Sequence, residues 1–148
     1  MSDPLVERLL AAIDAKTQRA EAALGSVWTV AEWEKTMVVS NGPHMDGWIT
    51  YGGNDGFDGG VANAATAAFI VDNDPQTVLR RCAADRRMVE KYLREVKTLD
   101  DLTNWRTKGT PRPDAEVIRA GLILVWARLD ALRDLADGYG ITDTEEAR

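Results

Sequence analysis

Apolar residues recur every three to four positions at the start of the chain, gather into short β-branched and aromatic runs through the next stretch, and return to helical spacing from residue 75 onward. Leu5, Leu9, Ile13, Ala20 and Leu24 mark one face of a helix over 4–24, with Val6 and Leu10 beside them. Ser2 or Asp3 can cap its start, Pro4 suits the first helical position, and Gly25 stops it. Lys16 interrupts the apolar face, so its stem should lie along apolar surface while the ammonium reaches water.

From about 27 to 52 the chain is rich in β-branched and aromatic residues, as in "SVWTVAEWEKTMVVSNG" and "GWITYGG". Gly, Pro and Asn separate these runs, which predicts two or three antiparallel strands. Trp28, Trp33 and Trp48 imply a face that a helix must cover, since so small a sheet is not stable alone. After "GGNDGFDGG", the Ala-rich segment at about 61–71 reads as a short helix.

Two long helices follow, at 75–97 and 114–137. In the first, at about 100° per residue, Val78, Cys82, Val89, Leu93 and Val96 form an apolar stripe that must face a core. Asp74 is its expected N-cap and Pro75 its first residue. Asp85, Glu90 and Glu95 flank the stripe, within reach of Arg81, Arg87 and Lys91 respectively. The second helix begins near Asp114 and ends at Gly138 and Gly140. Its run "AGLILVWARL" is apolar almost all round, with Leu122, Ile123 and Trp126 outside the main face, which predicts central burial or pairing with a second copy. Gly121 would allow another element to approach closely. The connection, with two prolines and a helical turn at Leu99–Trp105, should bring the two helices together antiparallel. The tail 142–148 is expected to fray.

Composition narrows the class. At 148 residues and 16.3 kDa, with 45% hydrophobic and 28% charged residues, the chain fits one soluble globular domain over 1–148. It lacks the pattern of a signal peptide or a membrane span, and its one cysteine fits a reducing cytoplasm. The net charge of −6 argues against nucleic acid as the main partner. That charge is uneven: residues 75–97 carry 7 basic and 3 acidic groups, a basic island in an acidic chain.

Arg80, Arg87, Lys91 and Arg94 share the side of that island opposite the apolar stripe. They are candidates for binding an anion or nucleic acid, although an ordinary solvated helix face is the simpler account of them and no aromatic residues interleave for stacking. Asn54, Asp55 and Asp58 in the glycine-rich loop offer oxygen ligands without the spacing of a calcium loop, and no phosphate-binding loop is present. His44 sits in a turn signal, and a His44–Asp46 acid–base pair has no supporting motif. Cys82 lies on the stripe that should be buried. No catalytic constellation, metal site or cofactor is expected.

The segment "ATAAFIVDNDPQTVLRRCAADRRMV" resembles a family of small uncharacterised proteins of actinobacteria and their phages. The family's pattern reads "HIArhDP" followed by "VLReveAKRR". Ile70, Asp74, Pro75, Val78, Leu79, Arg80, Ala84, Arg86 and Arg87 match it, and "LRDLADGYGITD" resembles the family's C-terminal segment. Phe69 and Asn73 stand where the pattern has histidines. A looser likeness is to early-region accessory proteins of lambdoid phages. The resemblance implies a cytoplasmic accessory protein and carries over no catalytic residue.

The expected fold is α+β, a small two- to three-stranded antiparallel sheet packed on three main α-helices. The expected function is a non-enzymatic accessory interaction protein that binds a host or phage protein, with Leu122, Ile123 and Trp126 as oligomer contacts of a homodimer. A nucleic-acid or nucleotide binder using the basic face, and a virion component, are the alternatives.

Overall fold

The computed structural model describes residues 3–23, 27–31, 38–40, 48–50, 64–109 and 111–141, with the backbone alone for Ser40 and 48–50. Eight elements follow in order: α1 (Pro4–Glu21), β1 (Trp28–Val30), β2 (Val38–Ser40), β3 (Trp48–Thr50), α2 (Ala64–Asp72), α3 (Pro75–Thr103), α4 (Trp105–Lys108) and α5 (Ala115–Gly138). This is the α+β fold that the sequence predicts. Contacts group the chain into two compact units, Asp14–Ala83 and Met1–Ile13 with Ala84–Arg148. No helix among the described residues is long and apolar enough to cross a membrane.

In the unit Asp14–Ala83, the strands form an antiparallel sheet in the order β1-β2-β3. Trp28 faces Ser40 and Val30 faces Val38, while the register between β2 and β3 slips at Val38/Val39. Val38 at the sheet centre is fully buried, as is Ala67 on α2, and α2 packs against β1 and β2. Alanine at the contact lets that helix sit close to the sheet. The helix expected to cover the strands is thus the short one, which runs from Ala64 to Asp72. Trp28 is half-buried; Trp33 and the side chain of Trp48 lie outside the described residues.

Asp74 ties this unit together. Its carboxylate accepts the Thr77 backbone N–H at 2.6 Å, the N-cap bond that Asp-Pro predicts. It also accepts the backbone N–H of Trp28, so one side chain caps α3 and anchors the start of β1. Burial acts to raise its pKa. The bonds from Thr77 and Trp28, with the charge of Arg80, outweigh that and hold the carboxyl below its ordinary value.

The other unit is organised by a helical hairpin. Along α3, Asp85, Val89, Tyr92, Val96 and Leu99 are buried or half-buried, spaced alternately by four and three residues. Along α5, Ile118, Gly121, Val125, Arg128, Leu132, Leu135 and Tyr139 repeat the same spacing to the residue after the helix. Two such seams pack as in an antiparallel coiled coil. Tyr139 donates its hydroxyl to Asp85 at 2.7 Å, Arg128 Nε lies 3.3 Å from Glu95 Oε2, and a Cβ at Gly121 would meet Leu99 Cδ1 at 3.3 Å. These pairs run in opposite directions along the two helices, so the expected antiparallel pairing holds.

Several expectations are corrected here. Tyr92, not Leu93, takes the buried position on α3, because a 3.5-residue seam selects 85, 89, 92 and 96; Leu93 is exposed. The helix also runs past 97 to Thr103, since Leu99 extends the seam, and the separate turn is α4 instead. Asp85 and Glu95 are engaged by Tyr139, just past the end of α5, and by Arg128 of α5, while Arg81 donates to Asn73. Interhelical partners outcompete neighbours on the same helix because the seam brings them into partly buried contact.

Candidate interaction surface

α5 has well-defined ends. Asp114 accepts the Glu116 N–H at 2.8 Å, and at the other end Gly140 adopts φ 73°. Ile141 N–H then reaches Ala136 O and Gly140 N–H reaches Asp137 O, both at 2.9 Å, a glycine-dependent C-terminal closure. Between these caps the burial is lopsided. Leu132 and Ala136 are the fully buried residues of α5, both in its last two turns.

Ahead of them the helix rests on α3 along one seam, and its other sides are open. Ile123 is 65% exposed and Trp126 59%; Val117, Leu122 and Leu124 are also exposed. The central burial expected for "AGLILVWARL" is therefore not what the chain adopts. A two-helix contact shields one stripe of each helix, and a sequence apolar on all sides leaves its remaining sides in water. The residues named as oligomer contacts, Leu122, Ile123 and Trp126, are among those left open.

Arg87, Lys91 and Arg94 are exposed along the side of α3 away from its seam. Arg80 is exposed in the other unit, where it donates to Thr77 Oγ1 at 2.8 Å. Lys91 borders a small cleft of about 30 Å³ with Met88, Arg128, Ala131 and Leu132. Two larger, open concavities lie among the described residues. One, about 270 Å³, is lined by Leu102, Trp105, Pro111 and Pro113 with Thr98 and Asp101. The other, about 280 Å³, lies between α1 and the start of α3, where Lys16 and Arg19 border Trp28, Asn73 and Val78. Lys16 thus lies at an apolar edge as its position in the helix pattern predicts.

Polar contacts that fix the hairpin were not legible as sites. Tyr92 donates its hydroxyl to Asp3 at 3.2 Å, while Asp3 also caps α1 through the Leu5 N–H. Burial, then the Asp3 charge and hydrogen bond, push the Tyr92 phenol above its ordinary value; Arg133 opposes them. Glu95 Oε2 is shielded from solvent and has no aligned hydrogen-bond donor among the described residues; the nearby Arg128 charge is its counterpart. The alternation of four and three on α3, which places Asp85 and Tyr92 in the seam, is the signal that could have found them. Lys108 pairs with Asp101 at the surface, which lowers the carboxyl and raises the amine.

Cys82 is buried, as its stripe predicts. The described residues contain no cluster of His, Cys, Asp and Glu able to hold a metal ion. His44, Asp46, Asn54, Asp55 and Asp58 lie outside the described residues.

A capped helical hairpin with an apolar helix face open to solvent, and a small antiparallel sheet covered by a short helix, define a small α+β protein. The chain belongs to a family of unknown function, DUF6221, whose pattern matches residues 2–140. No curated protein and no solved structure shows significant similarity to it.

Proposed function

We propose that this protein acts by binding another protein through the outward face of α5, as a non-enzymatic accessory factor in a bacterial cytoplasm. The exposure of Ile123 and Trp126 at the middle of a capped helix carries this reading. Apolar side chains in such numbers on one helix are a feature of contact surfaces more than of solvated ones. Trp is also among the residues that contribute most at such contacts. The resemblance to proteins of actinobacteria and their phages supplies the setting, a host or phage protein as partner.

The test is a photo-crosslinking amino acid placed at exposed Ala120, beside this face, or at Glu90 on α3, in cells that express the full chain. Adducts from position 120 that are absent from position 90 support the proposal. A folded protein that gives no adduct from 120 refutes it. A second reading, nucleic-acid binding, draws on the exposed row of Arg87, Lys91 and Arg94. It requires binding that falls steeply with salt and is lost on Arg87→Glu with Lys91→Glu.

A further inference from the structure

The outward side of α5 has its own seam. Glu116, Arg119, Ile123, Trp126, Asp130 and Arg133 follow one another at alternating steps of three and four, and all six are exposed. This row lies opposite the stripe that packs on α3, so it can meet a further helix without disturbing the hairpin. Two apolar residues occupy its centre, and charges of both signs occupy its ends.

The order of those charges selects the occupant. When the row is placed against a second copy running the other way, with the two-fold axis between Leu124 and Val125, every position meets a suitable partner. Ile123 faces Trp126, Arg119 faces Asp130, and Glu116 faces Arg133, each contact occurring twice by symmetry. Beside the seam, Leu122 approaches Leu129 of the second copy on one flank and Ala120 approaches Ala127 on the other. In a parallel arrangement the same residues would set Arg119 against Arg119 and Asp130 against Asp130. The existing Asp130–Arg133 bridge, at 3.2 Å, shows both groups already gathered on this side. The row from 116 to 133 spans about 26 Å at the rise of an α-helix.

The geometry points to a homodimer formed by antiparallel pairing of α5 with α5 of a second copy, in the register that matches Arg119 with Asp130. This inference rests on the proposed role of α5 as a binding face and makes its occupant a second copy of this chain in place of a host or phage protein. The interface is isologous, so one patch serves both subunits. Like charges set against each other suppress the wrong partner, and opposite charges fix the register.

Sedimentation equilibrium on the full chain tests it. The wild-type chain should sediment at twice its 16.3 kDa mass. Arg119→Asp and Asp130→Arg each create two like-charge pairs and should weaken self-association about tenfold or more at low salt. An equal mixture of the two variants should dimerise again, because each supplies the charges the other lacks. The double variant should also recover. Recovery on mixing shows that both single variants are folded. Self-association that ignores the single reversals, or variants that do not recover together, would overturn the register. A monomeric wild-type chain would overturn the dimer, while crosslinks from position 120 to other proteins would leave the broader proposal standing.

Discussion

Replacing Asp74 with alanine removes the acceptor shared by the Thr77 N–H and the Trp28 N–H. Loss of an N-cap of this kind costs about 1 kcal/mol. Leaving the Trp28 amide without its acceptor beside a buried position adds about 1–3 kcal/mol. The expected loss is therefore about 2–4 kcal/mol, read as a lower urea midpoint by far-ultraviolet circular dichroism at pH 7. Asp74→Asn keeps an acceptor oxygen but gives up the charge facing Arg80, and should cost about 1 kcal/mol. The pH dependence has a definite sign. The folded-state pKa lies below the ordinary value of 3.8, so the carboxylate's contribution is present above that value. It is lost as pH falls through the lower folded-state value, and the gap between wild type and Asp74→Asn should close in strong acid. A stability change under about 0.5 kcal/mol for Asp74→Ala, or a gap that widens in acid, would refute the assignment of Asp74 as the joint between helix and sheet.

Two further substitutions probe the hairpin. Gly121→Ala adds a Cβ 3.3 Å from the mobile end of Leu99, which can yield, and gains up to about 1 kcal/mol of helix propensity. Thermal melting should therefore show a small rise, whereas Gly121→Leu should lower stability by about 1–3 kcal/mol through overpacking. Leu132→Ala empties a position only 1% exposed and should cost about 2–5 kcal/mol. Ile123→Ala, in protein dilute enough to be monomeric, should change stability by less than about 0.5 kcal/mol. Equal losses for Leu132→Ala and Ile123→Ala would contradict the lopsided burial of α5.

Much of the fold is written in local chemistry. Asp74-Pro75 and Asp114 mark helix starts, Gly140 closes α5, and β-branched runs place the strands, since caps and turns depend on neighbours within a few residues. Burial is less local. The sequence places Leu93 in the core because it lies within a broad apolar arc, yet a narrow seam between two helices admits Tyr92 and excludes it. The run "LILVWARL" is apolar on every side, and periodicity alone cannot say which side the single contact with α3 covers. The candidate contacts Leu122, Ile123 and Trp126 were legible as outliers from the main face. The charge order that suits them to pairing with a second copy became legible once α3 had claimed the opposite seam. The basic row of Arg87, Lys91 and Arg94 is where the sequence places it, on the side of α3 away from its seam.

The central claim is that protein covers the outward face of α5 when the molecule works, and hydroxyl-radical footprinting tests this most directly. Trp126 oxidation would be measured in expressing cells and in purified chain at high dilution, with half-exposed Met88 on α3 as the reference. The account predicts that Trp126 is protected several-fold in cells relative to the diluted chain, with Met88 changing little. Equal oxidation of Trp126 in both states would contradict it.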